Sequence, residues 1–193
     1  LEQGIQSPPS AQWTATAAGA MVLSCGSQET SPAFMTDGEG KAAVAASVRV
    51  TCGTIGKIID AGVKDANHMG AAMAPAAVDT LLNHLEDTGK SITDYDLILT
   101  GDLGYIGKDI AKDLLVDAGL PQKEVENRYD DCGAMIFEKG QDVHGGGSGC
   151  GCSASVFASY VYKRMKRGEL ERVLIMSTGA LLSTISPFQG ESI

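Results

Sequence analysis

The sequence predicts an α/β protein in which helices cover a mostly parallel or mixed sheet. The first observation is the order of segments, which reads strand, strand, helix, strand, helix, strand, helix, strand. Such alternation is typical of a sheet whose strands are joined by helical crossovers. The second is that the stretches "TGDLGYIG", "VHGGGSGCGCSA" and "STGALLS" each begin where a predicted strand ends. Ligands of open α/β sheets bind beyond the carboxyl ends of the strands, so these loops form the predicted site.

Composition narrows the class of protein. The 193 residues suit a single domain, and 24 acidic against 15 basic side chains give a formal charge of −9. A chain this acidic repels phosphate backbones, which excludes nucleic acid as the expected partner. No apolar run approaches the ~20 residues of a membrane span, and five cysteines form no disulfide framework. We expect a soluble protein of a reducing cytoplasm. Because the chain starts at Leu1 and ends in a loop-like stretch, we also expect a piece of a longer protein.

The amino-terminal third predicts a loop followed by two strands. Pro8 and Pro9 indicate an extended or loop segment over residues 1–15. The apolar run over residues 19–25 has the length of a strand. Residues 43–56 alternate apolar and polar side chains in their middle, which predicts a half-exposed strand.

The middle of the chain predicts a helix and then a strand, loop and helix unit. Pro75 suits the first turn of a helix, Val78, Leu81, Leu82 and Leu85 follow at helical spacing, and Gly89 ends the helix. Residues 95–103 predict a buried strand that runs into a glycine turn. The next helix is predicted from apolar residues that repeat every four positions: Ile106, Ile110, Leu114 and Ala118.

The last third predicts two further strands around a helix. The stretch "GAMIFE" predicts a strand before the glycine loop, and "RVLIMSTGALLS" predicts a strand that breaks at Gly179. Between them, helical spacing predicts a helix that ends at Gly168, from these residues: Val156, Phe157, Tyr160, Val161 and Met165.

The glycine loop, "VHGGGSGCGCSAS", does not fit the common nucleotide motifs. A Walker loop needs a lysine, and none occurs between Lys139 and Lys163. Gly149, Gly151 and Ala154 satisfy a dinucleotide fingerprint, but the following strand ends in hydroxyl residues rather than in the acid that binds the ribose.

Two readings of the loop stay open once zinc is set aside. Cys132, His144, Cys150 and Cys152 could ligate zinc, but the C-x-C spacing favours packed cysteines over a metal site. Small residues before a helix allow close backbone approach, and N–H groups at a helix start attract anions, which predicts a carboxylate or oxyanion cradle. In the alternative, the glycines only permit close packing of a helix against the sheet.

Five stretches carry a family resemblance: "MGAAMAPAAVDTL", "DYDLILTGDL", "YDDCGAMIF", "GGGSGCGCSA" and "VLIMSTGALLS". They resemble the stage V sporulation protein AD family of endospore-forming bacteria. The resemblance implies a thiolase-like fold, in which two similar halves each hold a helix-covered, mixed five-stranded sheet. Residues 1–40 resemble the last strand of the amino-terminal half plus a linker, and residues 41–193 the carboxy-terminal domain.

The resemblance also implies that catalysis has been lost. Active thiolases carry a histidine in a loop before a helix, and Ser148 falls at that position when Gly147 is aligned with the first loop glycine. They carry a later cysteine where this chain has Ser177. Serine does not titrate near neutral pH, so both groups for proton transfer are missing and we expect no enzyme activity.

Binding is what the family implies instead. Its members are associated with uptake of dipicolinic acid, often as the calcium complex, into the spore and with its release on germination. The implied protein has no cofactor, associates peripherally with the spore inner membrane beside other proteins of a dipicolinate channel, and can form a homodimer. Two alternatives stay open: an acyl-transfer enzyme of the thiolase or ketoacyl synthase type with a rearranged site, and a scaffold whose pocket is vestigial.

The candidate ligand-binding residues lie on the three loops. The predicted dipicolinate site comprises Ser148, Gly149, Cys150, Gly151, Cys152, Ser153, Ser177, Thr178, Asp102 and Tyr105. Asp130 and Asp131 are candidate calcium ligands because carboxylate oxygens are the donors that calcium prefers.

Overall fold

A computed structural model describes residues 8–25, 34–36, 42–44, 48–180 and 185–192. The described strands are β1 Trp13–Thr14, β2 Phe34–Thr36, β3 Ala42–Val44, β4 Leu97–Thr100, β5 Tyr129–Asp131, β6 Gly147–Ser148 and β7 Val173–Met176. The described helices are α1 Met69–Thr88, α2 Gly104–Asp117, α3 Gln122–Arg128, α4 Cys132–Met135, α5 Gly151–Val156 and α6 Tyr162–Lys166. A π-helical turn, Phe157–Val161, joins α5 to α6, and short 3-10 turns cover Ile92–Asp94, Lys139–Gln141 and Pro187–Gln189.

The central sheet has the strand order β5-β4-β7, with every pair parallel. Thr100 at the end of β4 pairs with Asp131 on one side and Met176 on the other, so the three strands end together. Elsewhere β1 pairs in parallel with β6, and β2 pairs antiparallel with β3. The predicted α/β class is confirmed. Three described strands form the central sheet, where the family resemblance implies a mixed sheet of five.

Helices cover both faces of this sheet. Ile98 belongs to a core cluster with α1, α2 and α3, whereas Leu99 belongs to a second cluster with Cys132, Cys152 and Val161. Successive residues of a strand point to opposite faces, so β4 is buried on both sides. Its continuous apolar run is typical of a central parallel strand.

The helices α1 and α2 approach closely through two glycines. A methyl group added at Gly107 would lie 2.6 Å from the Cα of Gly70, and one added at Gly70 would meet the backbone oxygen of Leu103. No side chain fits between the two backbones at this point. The buried side of α2 is therefore Gly104, Gly107, Ala111 and Leu115, and Ile106 from the predicted apolar stripe is 36% exposed.

Two strands predicted in the amino-terminal third are wrong in the residues that the structure describes. Residues 19–25 are irregular, with Val22 99% exposed. Residues 48–56 are also irregular, with Val50 80% and Ile55 98% exposed. A strand needs a partner for its backbone groups, and apolar pattern alone does not supply one. The strand predicted over residues 43–56 overlaps β3 at its first two residues. The domain boundary predicted at residue 40 lies outside the described residues.

Other predicted elements shift or change type. The stretch "GAMIFE" is not a strand: its first residues lie in α4, whose first turn is capped by the carboxylate of Asp131. Helix α1 begins at Met69, so Pro75 lies inside it rather than in its first turn. Gly89 ends α1 as predicted, in the left-handed conformation, and β4 and β7 lie where the sequence places them.

Among the helices that the structure describes, none combines the length and apolar character that a membrane crossing requires.

Candidate functional site

The loops that follow β4 and β7 meet the glycine loop at one end of the sheet. Gly101 and Asp102 follow β4, and a methyl group added at Gly101 would lie 3.4 Å from Oγ1 of Thr178 after β7. Asp102 reaches the glycine loop, where its Oδ2 accepts a hydrogen bond of 2.7 Å from the amide of Gly149. The predicted convergence of three loops is therefore present in the described residues.

The side-chain carboxylate of Asp102 binds one amide of the glycine loop. Gly149 precedes the first turn of α5, and its N–H is the donor to Asp102. Burial raises the pKa of Asp102, and the bond from Gly149 acts in the opposite direction. One amide of the predicted cradle, that of Gly149, therefore already donates to a carboxylate of the chain itself.

Asp131 is fully buried and accepts four hydrogen bonds. Its Oδ2 accepts from Oγ1 of Thr100 at 2.7 Å and from the amide of Leu103 at 2.9 Å. Its Oδ1 accepts from the amides of Gly104 at 2.9 Å and Ala134 at 3.0 Å. Burial raises its pKa to about 6, although each of the four bonds favours the charged form. Asp131 therefore joins the end of β4 to the starts of α2 and α4.

The calcium role expected for the aspartate pair does not fit this geometry. Both oxygens of Asp131 are already occupied by donors, which argues against metal ligation there. Asp130 is half-buried and forms an ion pair of 3.0 Å with Nζ of Lys108. Within the described residues, no group of three or more His, Cys, Asp and Glu side chains is placed to hold a metal ion.

Gln12 joins two of the loops and was missed by the sequence reasoning. Its Nε2 donates to the backbone oxygens of Asp102 at 2.8 Å and Gly147 at 2.9 Å. Its Oε1 is buried and has no hydrogen-bond partner in the described part of the chain. The side chain bridges positions far apart along the chain, so no local sequence signal could have identified it.

Backbone packing accounts for part of the glycine content of the loop. A methyl group at Gly145 would lie 2.6 Å from the backbone oxygen of Ser10, and one at Gly151 2.4 Å from that of Ala17. The chain around β1 therefore lies directly against the loop, with Trp13 paired to Gly147. These two glycines therefore permit close packing, but against the segment around β1 and not of a helix against the central sheet as the alternative expected.

The cysteines of the loop differ in exposure. Cys152 and Cys132 are buried in the same core cluster, and burial raises the pKa of each thiol to about 12. Both are therefore neutral thiols near pH 7, which suits packing rather than nucleophilic attack. Cys150, in contrast, is exposed.

The remaining predicted site residues present small polar groups. Ser148 is half-buried in β6, and Oγ of Ser153 donates to the backbone oxygen of Cys150 at 3.4 Å. Ser177 is exposed, and Oγ1 of Thr178 is buried without a hydrogen-bond partner among the residues that the structure describes. The half-buried Tyr105 lies in the first turn of α2, and its amide donates to Gly145.

In the described residues, neither His84 nor His144 is paired with a cysteine. His84 is buried and bonds Thr54 and Tyr95, and burial lowers its pKa. His144 packs edge-on against the ring of Trp13, and its buried Nδ1 has no hydrogen-bond partner.

Comparison with known proteins matches the whole chain to one family. The family described as Stage V sporulation protein AD matches residues 1–193. The Stage V sporulation protein AD of Bacillus subtilis (strain 168) is 42% identical over 192 residues, which cover 100% of this chain and 51% of that protein. The chain thus spans about half the length of the curated relative that it matches.

Proposed function

The chain belongs to the stage V sporulation protein AD family, and from this premise we propose that it binds dipicolinic acid without catalysing a reaction. The ligand is the free dicarboxylate or its calcium complex, bound for uptake into the spore and released on germination. The site is the set of loops beyond the ends of β4 and β7, together with the glycine loop. The protein works in the spore as a peripheral partner of a membrane assembly.

The observation that carries this proposal is the bond from the Gly149 amide to the carboxylate of Asp102. It supports the view that the loop can present an N–H group to a carboxylate, as anion sites at helix starts do. A ligand carboxylate would bind beside Asp102 or displace it. The unpartnered Oγ1 of Thr178 and the half-buried Ser148 supply further polar groups at the same end of the sheet.

The absence of catalysis is proposed on chemical grounds. General acid–base catalysis near neutral pH needs a group that titrates there. Ser148 and Ser177 hold the positions that the thiolase resemblance assigns to a histidine and a cysteine. The two buried thiols have pKa values raised to about 12 and are not available as thiolates.

Calorimetric titration of the complete protein with dipicolinate, with and without calcium, tests the binding proposal. We expect saturable binding, and we expect Ser148→Phe to abolish it because the added ring fills the space beside the Gly149 amide. Ser159→Phe is the matched control, since Ser159 is exposed on the same continuous run of helix beyond the loop.

Three outcomes are informative. No saturable binding to the wild-type protein refutes the proposal. Equal binding by Ser148→Phe moves the site away from the glycine loop. A collapse of thermal stability in Ser148→Phe alone assigns the loop to packing, in which case Thr178→Val supplies the test of binding in a folded protein.

An acyl-transfer activity makes a different prediction. Incubation with acyl-CoA of several chain lengths would then leave a cysteine acylated, detectable as a mass increase of the intact protein. We expect no such adduct.

A further inference from the structure

The last helical segment carries a basic face outside the candidate ligand site. Helix α5, the π turn and α6 run without a break from Gly151 to Lys166. The basic face is defined here as the outward residues of the π turn, α6 and the following turn: Tyr160, Tyr162, Lys163, Arg164, Lys166 and Arg167. Nothing in the proposed ligand binding requires these side chains.

The π turn orients the tyrosines of this face. Val161 is fully buried in the second core cluster, whereas its neighbours Tyr160 and Tyr162 are 47% and 37% exposed. The guanidinium of Arg164 lies 5.3 Å from the ring centroid of Tyr160, and Nζ of Lys166 lies 6.0 Å from that of Tyr162. Each of the two exposed tyrosine rings thus has a basic side chain against it. Single π turns inside helices are frequent at functional sites.

The charge of the face is opposite to that of the chain. Residues 160–172 hold five of the 15 basic residues and two of the 24 acidic ones, in a chain of charge −9. Cations in a last helical turn interact favourably with the helix dipole, but that effect does not require exposed tyrosines. Glu169 pairs with both Arg164 and Arg167, and Lys163 is exposed to solvent.

We propose that this basic face docks on an anionic lipid bilayer. Lysine and arginine near a bilayer are attracted by anionic headgroups, and tyrosine favours the interfacial layer because its ring is apolar and its hydroxyl polar. Residues 157–168 are all described, and no aliphatic side chain among them is exposed. A stable protein interface normally has an apolar centre, so this surface fits headgroups better than a protein partner. The remaining acidic surface is repelled by the same bilayer, which orients the molecule with this face inward.

This inference deepens the proposed peripheral membrane association, yet it does not depend on the ligand. The vesicle experiment below contains no dipicolinate, and the calorimetric titration contains no lipid. A negative result in one experiment therefore does not contradict the proposal that the other experiment tests.

Flotation of the complete protein with vesicles tests the proposal. We expect binding to phosphatidylcholine vesicles that contain phosphatidylglycerol, none to phosphatidylcholine alone, and weaker binding as salt increases. Replacing Lys163 and Arg167 by glutamine should weaken vesicle binding about 25-fold, at roughly fivefold for each basic residue. The control replaces Lys64 and Lys123 by glutamine, because both are exposed and the variant removes the same charge.

The same flotation experiments define the results that would contradict the proposal. No binding to anionic vesicles at low salt overturns the proposal, and so does an equal loss in the Lys64, Lys123 control. Capture by bead-bound polyglutamate without binding to vesicles assigns the face to an acidic polypeptide instead. Circular dichroism of each variant verifies the fold, and Tyr160→Ser, which leaves the charge unchanged, provides a second variant that should weaken binding to anionic vesicles.

Discussion

At the scale of single residues, Asp131 decides how the end of the sheet is held. Its carboxylate binds the hydroxyl of Thr100 and the amides of Leu103, Gly104 and Ala134, so one side chain satisfies donors from three elements. The hydroxyl of Tyr129 bonds Thr100 at 2.9 Å and extends the network. Because amides at helix starts have no partners within their own helix, Asp131 replaces the partners that they lack.

The protonation of Asp131 should leave a signature in the pH dependence of stability. Burial raises its pKa in the folded protein from 3.8 to about 6. A carboxyl whose pKa is raised on folding contributes most below its unfolded value, and that contribution is lost as pH rises through the folded value. The free energy of unfolding of the wild type, minus that of Asp131→Asn, should therefore decrease between about pH 4 and pH 6. The slope should be at most about 1.4 kcal/mol per pH unit.

Urea unfolding of both proteins across this pH range provides the measurement, and the subtraction removes the titration of other carboxylates. Asp131→Asn should still be less stable than the wild type at pH 7, by about 2 kcal/mol, because its amide group faces buried donors. Asp130→Asn is the control, with a loss below about 1 kcal/mol, since the Asp130 carboxylate is partly exposed, its ion pair with Lys108 lies near the surface, and an asparagine oxygen can still accept from the amide of Asp131. A difference that grows with pH would show that the four donors outweigh burial.

At the scale of elements, the contact of α1 with α2 positions the loop that carries Asp102. Helix α2 begins at Gly104, two residues after Asp102, and Gly107 in its first turn lies against Gly70. A change in the spacing of the two helices would therefore move the start of α2 relative to the glycine loop.

Gly107→Ala tests this coupling. The added methyl group would lie 2.6 Å from the Cα of Gly70, so the helices must separate. We expect a loss of about 2 kcal/mol in the free energy of unfolding, as overpacked cores show, together with weaker dipicolinate binding. Gly140→Ala is the control, because nothing lies within 4 Å of its added methyl group. Unchanged stability of Gly107→Ala would mean that the helix pair is freer to separate than this packing implies.

The same elements show which features a sequence can predict. The apolar run of β4, the left-handed Gly89 after α1 and the run of β7 are local signals, and all three were predicted correctly. Residues 48–56 alternate like a strand, but strand formation depends on a partner, which a local pattern does not specify. The stretch after Asp131 is short and apolar, so its periodicity could not distinguish strand from helix; the cap supplied by Asp131 favours the helix.

The candidate site also has some features that the sequence predicts and others that it does not. The loops after β4 and β7 could be predicted because the carboxyl ends of parallel strands meet at one edge of the sheet. The glycine loop was expected there because it follows "GAMIFE", and that stretch is not a strand. The partner of Asp102 could not, since the bond to Gly149 depends on how two loops pack. The role of Gln12 depends on backbone oxygens of two distant segments, and sequence patterns do not report such contacts.

At the scale of the whole molecule, net charge acts on the proposed ligand before any contact forms. The chain carries a formal charge of −9, and dipicolinate is a dianion at neutral pH, so the two repel each other at long range. The 1:1 calcium complex is neutral and escapes this repulsion. Added salt shortens the reach of the repulsion from roughly 30 Å at 0.01 M to about 8 Å at 0.15 M.

Affinity for free dipicolinate should therefore increase with salt, whereas affinity for the calcium complex should change little. Coulomb interaction over a distance of about 20 Å gives an increase on the order of tenfold between 0.01 M and 0.15 M salt. Titration calorimetry of both ligands at the two salt concentrations provides the measurement. Isophthalate, which has the same carboxylate spacing without the ring nitrogen, controls for general salt effects on a dianion and should follow free dipicolinate in its salt response. A fall in dipicolinate affinity with salt would instead indicate that local cations at the site outweigh the acidic surface, because short-range attraction is also screened and would then dominate the response.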